Sequence, residues 1–416
     1  MFEVSDKKMV TKQILRTQIH IVNKNHRLYK YCDNICFKSK NLYNYANYIV
    51  RQEFITNKKL ISGFDLNRTL KGTDVFQALP AKTSQQIMLL LGKNWKSFFR
   101  GIKDWSTNKE KYCGMPGLPK YKKKDGRQIV LFDYMQGRFK DNRYYFPNKQ
   151  REHFKNYIDT HIAKEDFKLL RIVPYGNCYK IEIVYKKEIK EKTNLNNSYL
   201  AIDLGINNLA TLTNNIGLQP IVINGRILKS VNCYYNKIRS KAMSHVGKGT
   251  SNRIKRIDTK RNNIIDTHMH KISRQIINYC LQNNIDNIVI GRNQDWQRFS
   301  NIGKKNNQTF VNIPFESLIK KISYKAEENG IGVVIISEEY TSQASFIDSD
   351  RIPTKFGNYN FSGKRINRGL YKSKDGVLIN ADVNGSYNIL RKCNPEFKYD
   401  DGIKGISLYP VRQNVA

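Results

Sequence analysis

Hydrophobic and polar residues alternate along TKQILRTQIHIV, at 11–22, and this period of two predicts a β-strand. Two segments with helical periodicity follow. The apolar positions that recur at helical spacing are Leu42, Tyr45 and Ile49 in the first segment, and Ile87, Leu90 or Leu91, Trp95 and Phe98 in the second. A Thr83-Ser84 capping signal is predicted to start the second helix. We interpret both stripes as core packing rather than as base-stacking surfaces.

Strand-like segments return after the helical block. They are RQIVLFDYM, NRYYFP and FKLLRIVPYGNCYKIEIVYKKEI. Together with the first strand they predict a small barrel into which the helical block is inserted. The polar segment KKEIKEKTNLNNS then predicts a domain boundary near residue 195.

The pattern changes after this boundary to strands that alternate with helices. YLAIDL, IVING, DNIVIG and IGVVII are predicted strands, a long helix is predicted at 251–284, and further helices are predicted after Pro314 and from about Asn384. The apolar stripe of the long helix is predicted to include Ile254, Ile257, Ile264, His268, Ile272 and Ile276. This alternation predicts an α/β domain with a mixed sheet.

Composition narrows the class of partner. The chain has 416 residues, which suggests two or three domains, and 72 Lys and Arg against 35 Asp and Glu give a net charge of +37. A charge of this size indicates a polyanionic partner, with nucleic acid favoured over a membrane surface, since the apolar runs are too short to span a bilayer. No signal-peptide core is evident, so a cytoplasmic location is expected. Seven scattered cysteines form no CxxC pair, which argues against disulfides and zinc.

Acidic residues occur at the ends of predicted elements in the α/β domain. Asp203 interrupts an apolar strand, Glu338 and Glu339 follow another strand, and Asp382 precedes the last helix. Gathered together, such carboxylates bind two Mg²⁺ or Mn²⁺ ions about 4 Å apart, which is the arrangement that hydrolyses phosphodiesters. The alternative is that the aspartates cap a turn and a helix. Spacing leaves both interpretations open.

Basic residues cluster in three segments, 92–127, 226–261 and 351–374, which together with interleaved aromatic residues indicate contact with a phosphate backbone. Solvated surface lysines are the alternative. The candidates for nucleic-acid contact are Lys120, Tyr121, Lys122, Lys123, Lys124, Arg253, Lys255, Arg256, Lys260, Arg261, Lys364, Arg365 and Arg368.

Two motifs resemble those of a known family. AIDLGINNLATLT is similar to the first motif of the RuvC-like nucleases in the TnpB (OrfB) proteins of insertion sequences, and NADVNGSYNIL is similar to their third. The stretch that begins at Arg292 also resembles that family, and a weaker likeness covers nearly the whole chain. The family consists of RNA-guided DNA nucleases related to compact type V CRISPR effectors.

The second motif departs from the family pattern. The family usually has Glu at the end of that strand, but here IVIGRN places Gly291 there, and glycine offers no metal ligand. In some relatives a Glu on the neighbouring strand replaces it. The resemblance therefore favours Glu338, which lies at the matching distance before Thr341, with Glu339 as the alternative because only one of the two can face the metals.

This sequence also departs from the family pattern in the zinc ribbon. Its CxxC pairs are replaced here by Ser345 with Asp348, and by Lys372 with Asp375. We expect no zinc to bind. The segment 351–374 holds seven basic residues and no acidic one, so it still fits nucleic acid, although a flexible basic loop fits equally well.

The resemblance implies an α/β RuvC (RNase H-like) nuclease domain at 196–416 with a degenerate, cysteine-less ribbon at 344–376. It implies a wedge-like β-barrel at 1–36 and 127–195, and a helical recognition lobe at 37–126. The implied site is Asp203, Glu338 and Asp382 with two Mg²⁺ (or Mn²⁺) ions. The implied partners are a guide RNA and double-stranded target DNA, at the prokaryotic nucleoid, with a monomer favoured.

The implied function is an RNA-guided DNA endonuclease that cuts after guide pairing and recognition of a short flanking motif. A nuclease-inactive, RNA-guided DNA-binding repressor is the alternative, and Gly291 is the residue that favours it. A transposase that joins DNA ends fits the same metal chemistry. Metal-dependent cutting separates the repressor from the nuclease.

Overall fold

The computed structural model describes residues 11–147, 156–190, 196–293, 312–355, 357–399 and 402–415. The chain divides into two compact units, Gln13–Glu188 and Ile189–Ala416 with Met1–Lys12. The predicted boundary at residue 195 and much of the family-like stretch after Arg292 lie outside the described residues.

The first unit contains four helices and seven strands among its described residues. The helices are α1 (Tyr29–Asn57), α2 (Gly63–Leu70), α3 (Asp74–Gln77) and α4 (Ala81–Thr107). The strands are β1 (Thr11–Val22), β2 (Val130–Asp133), β3 (Arg138–Lys140), β4 (Arg143–Tyr145), β5 (Tyr157–Asp159), β6 (Phe167–Tyr175) and β7 (Cys178–Lys190).

The two long helices were predicted with partial accuracy. In α4, Ile87, Leu91 and Trp95 are fully buried as predicted. The cap prediction is wrong, because Pro80 precedes the helix and Thr83 and Ser84 lie buried inside it. In α1 the buried apolar positions after Leu42 are Tyr43, Ala46 and Val50, whereas Tyr45 is exposed. The predicted stripe is therefore confirmed at Leu42, whereas its later members Tyr45 and Ile49 are not buried.

The strands of the first unit form two separate sheets. The four-stranded sheet has the order β1-β7-β6-β2, and β3-β4-β5 form a three-stranded antiparallel sheet. Both sheets share one apolar core with the helices. A closed barrel is not formed by these hydrogen-bonded strands within the described residues, so the barrel remains a prediction.

The second unit is an α/β fold. Its strands are β8 (Tyr199–Leu204), β9 (Asn208–Asn214), β10 (Ile221–Asn224), β11 (Asn287–Gly291), β12 (Gly332–Ile336), β13 (Lys364–Asn367), β14 (Leu370–Lys372), β15 (Leu378–Asn380) and β16 (Val411–Gln413). Its helices are α5 (Arg226–Val246), α6 (Asn252–Gln282), α7 (Phe315–Glu328) and α8 (Ala381–Cys393). The main sheet has the order β12-β11-β8-β9-β10-β16 and combines parallel with antiparallel pairs. The predicted mixed sheet is confirmed.

Helices cover both faces of the main sheet. Leu200, Ile202 and Leu204 of β8 pack with α6 and α7 on one face, while Ala201 packs with α8 on the other. The buried stripe of α6 includes Ile265 and Met269, whereas the predicted Ile264 and His268 are only half-buried. The existence of the long helix was predicted correctly, and its buried face was partly misplaced.

Candidate functional site

Asp203 lies on the α8 face of the main sheet. Its neighbours Ile202 and Leu204 point into the opposite core, because side chains alternate along a strand. A Cβ at Gly385 of α8 would lie 3.2 Å from Oδ2 of Asp203. The absence of a side chain at Gly385 thus lets the helix backbone approach the carboxylate closely.

Asp382 lies in the first turn of α8. The helix begins at Ala381, and the side chain of Asn380 caps it by accepting hydrogen bonds from the backbone N–H groups of Asp382 and Val383. The helix therefore has a cap without the Asp382 carboxylate. Asn208 donates to Oδ2 of Asp382 across 2.6 Å.

Glu338 follows β12 and occupies the space beside Gly291. A Cβ at Gly291 would lie 2.4 Å from Cδ1 of Ile389 and 3.3 Å from Oε2 of Glu338. There is consequently no room for a glutamate at position 291. The carboxylate of Glu338, which follows the end of β12, lies beside this position instead.

Like charges act on Asp203. Burial, then Glu338 and then Asp382 raise the pKa of Asp203 well above its usual range, while Arg365 opposes them. Burial also raises the pKa of Glu338 to about 7, against the opposing charge of Lys392. Carboxylates held together at such a cost are typical of sites that bind a cation.

Glu339 differs from Glu338 in the groups on which its charge acts. It is not among the charges that shift the pKa of Asp203, and its backbone oxygen accepts a hydrogen bond of 2.9 Å from Nζ of Lys392. The structure thus brings Asp203 into electrostatic contact with Glu338 and Asp382. Within the described ranges, no three acidic, imidazole or thiol side chains lie close enough to ligate one metal ion together.

The two aspartates line a cleft of about 520 Å³. Four arginines share this cleft, namely Arg226, Arg365, Arg368 and Arg412. Arg365 forms an ion pair with Asp382, with Nη2 3.5 Å from Oδ1. Sequence reasoning identified Arg365 and Arg368 but missed Arg226, Arg412 and Asn208, because no local pattern distinguishes them.

The other nucleic-acid candidates are distributed over three surfaces. Lys120 to Lys124 lie in an exposed loop of the first unit, and Arg253, Lys255, Arg256 and Lys260 are exposed on α6. Arg261 differs from these. Its guanidinium donates to Oδ1 of Asn232 at 2.9 Å and to the backbone oxygen of Asn312, so it is bound within the protein. Lys364 lies on β13, which is exposed.

The four positions that replace the ribbon cysteines lie near a small sheet, β13-β14-β15. The hydroxyl oxygen of Ser345 accepts a hydrogen bond from the backbone N–H of Asp348. A carboxylate oxygen of Asp348 accepts a hydrogen bond from the backbone N–H of Lys374. Asp350 accepts hydrogen bonds from Ser345 and Ser362. Protein hydrogen bonds therefore connect these turns.

No helix among the described residues is both long enough and apolar enough to cross a membrane.

Two family models match the chain, almost entirely within the second unit. One described as a probable transposase, OrfB_IS605, matches residues 182–297, and one described as the Cas12f1-like TNB domain matches residues 315–389. The CRISPR-associated endodeoxyribonuclease Cas12f1 of Sulfoacidibacillus thermotolerans is 34% identical over 147 residues, which cover 34% of this chain and 31% of that protein. The match thus spans about a third of this curated relative.

Solved structures give more distant matches. A cryo-EM structure of a Cas12f1-sgRNA-target DNA complex has 14% identity, covers 87% of this chain and 82% of its own, and has a TM-score of 0.49. A CRISPR-Cas12f ternary complex has 12% identity, covers 89% and 82%, and has a TM-score of 0.35. The family models and the curated relative confirm the resemblance noted in the motifs: parts of the chain are similar to the TnpB (OrfB) proteins and to the compact type V effector Cas12f1.

Proposed function

We propose that the chain is an RNA-guided DNA endonuclease. The observation that carries the proposal is that the charges of Glu338 and Asp382, from distant parts of the sequence, act on the half-buried carboxylate of Asp203, which lines the same cleft as Asp382. Repulsion among these groups has no structural benefit, and it is relieved by a divalent cation. The motifs and the curated endodeoxyribonuclease relative support the same reaction class.

The proposed metal ligands are Asp203, Glu338 and Asp382. Carboxylate oxygens are the ligands that Mg²⁺ and Mn²⁺ prefer. Two such ions, when bound, activate the attacking water and stabilise the leaving oxygen. Since the charges of both other carboxylates act on Asp203, it would share the binding of the ions with each of them. We expect no zinc, because Ser345, Asp348, Lys372 and Asp375 include no thiolate.

The arginines of the cleft hold the substrate in this proposal. Arg226, Arg365, Arg368 and Arg412 lie beside the aspartates, where a phosphate of the DNA backbone would enter. Guanidinium groups bind phosphate oxygens through paired hydrogen bonds, which orient the scissile group as well as attract it. Asn208 orients Asp382 through its short hydrogen bond.

A guide RNA and double-stranded target DNA are the proposed partners. The net charge of +37 suits a protein that holds a heteroduplex by shape and charge while base pairing selects the sequence. We assign the flanking-motif reader to the first unit, with a wedge-like barrel at 1–36 and 127–195 and a helical lobe at 37–126. The nuclease domain is 196–416, its ribbon is 344–376, and we expect a monomer at the nucleoid.

The decisive experiment compares cleavage with and without Asp203. The protein is purified with its RNA, the RNA is sequenced to identify the guide, and a matched plasmid is incubated with Mg²⁺. We expect Asp203→Ala to abolish cutting and to retain RNA binding, because the residue touches metal and not RNA. Asp375→Ala, an exposed aspartate of the same unit, is the matched control and should cut normally.

A second pair of variants tests the third ligand. Glu338→Ala should abolish cutting, and Glu339→Ala should preserve it. Undiminished cutting by Asp203→Ala would refute the nuclease site. A wild-type protein that binds the matched plasmid in Mg²⁺ and never nicks it would instead support the repressor.

A further inference from the structure

The backbone of residues 119–124, which we call the basic loop, is bound to α1 by side chains of that helix. Nδ2 of Asn47 donates to the backbone oxygen of Pro119 at 2.9 Å. One turn earlier, Asn44 forms a reciprocal pair with Lys122, donating to its oxygen at 2.9 Å and accepting from its N–H at 2.8 Å. An asparagine side chain thus pairs with the loop as a neighbouring strand would.

The series continues to Lys40, one turn before Asn44. Its Nζ donates to the backbone oxygen of Lys124 at 2.8 Å, and the residue is buried. The tethers at Lys40, Asn44 and Asn47 therefore lie at helical spacing on one side of α1. Each satisfies a backbone group that would otherwise need water.

The tethers are connected to the core of the unit. Oδ1 of Asn47 accepts a hydrogen bond of 3.1 Å from the indole of Trp95, and both residues are completely buried. Beyond the loop, Arg127 forms two hydrogen bonds to Asp33, at 2.9 and 2.8 Å. The loop is consequently fixed at both ends and in the middle.

The lysines of the loop keep their side chains at the surface, and Nζ of Lys122 lies 5.6 Å from the ring centre of Tyr43. Lys120, Lys122, Lys123 and Lys124 are all exposed. The guanidinium of Arg51 lies 4.9 Å from the ring centre of Tyr121 and adds a further positive charge. The acidic residue Asp125 directly follows the loop.

Such a loop is costly to order. Four lysines in five residues repel one another and would keep an untethered loop extended and mobile. Fixing them before binding removes much of the entropy cost of association. A rigid row of charges benefits most from a partner whose phosphates are themselves regularly spaced, and this describes a duplex better than a flexible single strand.

We propose that Lys40, Asn44 and Asn47 are positioning residues that hold the basic loop as a rigid docking surface for the phosphate backbone of duplex DNA. The inference rests on the proposed function only in its choice of DNA as the partner. It assigns affinity to residues that carry no exposed charge of their own.

The test measures binding of the full-length chain to a fluorescent DNA duplex of about 20 base pairs, in EDTA, at several NaCl concentrations. Each phosphate contact contributes about 0.9 to the slope of log affinity against log salt. We expect Lys120→Ala/Lys123→Ala to reduce that slope by about 1.8. The charge-matched control Lys71→Ala/Lys82→Ala removes two exposed lysines elsewhere in the unit and should change it much less.

Asn44→Ala separates positioning from charge. The variant keeps every lysine, so the salt slope should stay unchanged while affinity falls about three- to tenfold at each salt concentration, in line with the ordering cost of a few side chains. Trypsin should cleave the variant faster within the basic loop. Asn44 is half-buried, so its replacement spares the core that Asn47 supports.

Three results would overturn the inference. Wild-type affinity in Asn44→Ala, whether or not trypsin cleavage accelerates, would show that the tether does not aid binding. If Lys71→Ala/Lys82→Ala reduced the salt slope as much as Lys120→Ala/Lys123→Ala, the reduction would be due to net charge and not to the basic loop. If Asn44→Ala lost as much affinity for single-stranded RNA of the same length as for the DNA duplex, the loop would be a binding site for single strands. None of these measurements requires cutting, so they leave the nuclease proposal to its own test.

Discussion

At the scale of single residues, the packing around Gly291 gives a steric reason for glycine at the position where the family usually has Glu. A methyl group there would lie 2.4 Å from Cδ1 of Ile389, which is shorter than any van der Waals contact. We expect Gly291→Ala to reduce the free energy of unfolding by about 1–3 kcal/mol, as overpacked cores do. Urea denaturation measures this, and Gly291→Ala/Ile389→Val, which shortens the clashing side chain, should recover part of the loss. An unchanged midpoint in the single variant would contradict the steric account.

The environment of Lys325 predicts that folding stability depends on pH, independently of the proposed site. Its Nζ is buried and donates to the backbone oxygen of His270 and to Oγ of Ser273. Burial, together with Arg274 and Lys321, lowers the pKa of Lys325 to about 8, while Glu328 opposes this shift. An unfolded lysine keeps a pKa near 10.4.

The direction in which stability changes with pH follows from the protons bound by the folded and unfolded states. Between pH 8 and about 10.4 the unfolded state binds the proton and the folded state does not, so stability rises with pH by at most ~1.4 kcal/mol per unit. We expect Lys325→Met to lack this rise in urea unfolding measured at pH 8 and pH 10. Lys320→Met, an exposed neighbour on α7, should retain it. A rise that persists in Lys325→Met would assign it to other groups.

The site residues differ in how far the sequence could identify them. Asp203 and Asp382 stood in recognisable motifs. The period of two along a strand allowed only one of Glu338 and Glu339 to face the metals, and the resemblance favoured Glu338 for its distance before Thr341. Asn208, Arg226 and Arg412 reach the same cleft from three other elements. Their convergence depends on sheet order and on the position of α8, which no local pattern encodes.

At the scale of elements, α8 does more than carry Asp382. Nδ2 of Asn388 donates to the backbone oxygens of Thr341 and Ala344 at 2.9 and 2.7 Å. Nζ of Lys392 donates to the oxygens of Ser337 and Glu339 at 3.0 and 2.9 Å. One helix therefore holds the segment on both sides of Glu338 in a fixed relation to Asp382.

We expect loss of these contacts to weaken metal binding before it weakens folding. Lys392→Ala should raise the Mn²⁺ concentration needed for half-saturation about tenfold, because Glu338 is no longer held in place. Calorimetric titration with Mn²⁺ measures this without any cutting assay. Lys392→Arg should recover part of the affinity, and Lys374→Ala, an exposed lysine of the ribbon, should leave it unchanged. Wild-type affinity in Lys392→Ala would remove α8 as the positioning element.

Elements were predicted better than their faces. The strand at 11–22, the long helix α6 and the mixed sheet were all predicted from periodicity. The buried faces of α1 and α6 were partly misplaced, because several adjacent positions in each helix are apolar and packing selects among them. The cap of α4 was wrong since Ser84 donates instead to the backbone oxygen of Phe76 inside the unit.

At the scale of the whole molecule, the proposed metal ions would join parts of the chain that the sequence separates widely. Asp203 lies on β8, Glu338 follows β12, and Asp382 begins α8. A ligand bound by the folded state alone stabilises it by about 2.7 kcal/mol at one hundred times its dissociation constant. For a unit of this size that corresponds to a rise of about 5–10 °C in Tm.

We therefore expect saturating Mg²⁺ to raise the Tm of the wild-type protein, as measured by differential scanning calorimetry. The Tm of Asp203→Asn should differ from that of the wild type both without metal and with Mg²⁺. Without metal its Tm should exceed that of the wild type, because a charge repelled by Glu338 and Asp382 has been removed. With Mg²⁺ its Tm should not rise further. Asp375→Asn should match the wild type in both conditions, and an equal Mg²⁺ shift in Asp203→Asn would mean that the ions stabilise the fold from somewhere other than these carboxylates.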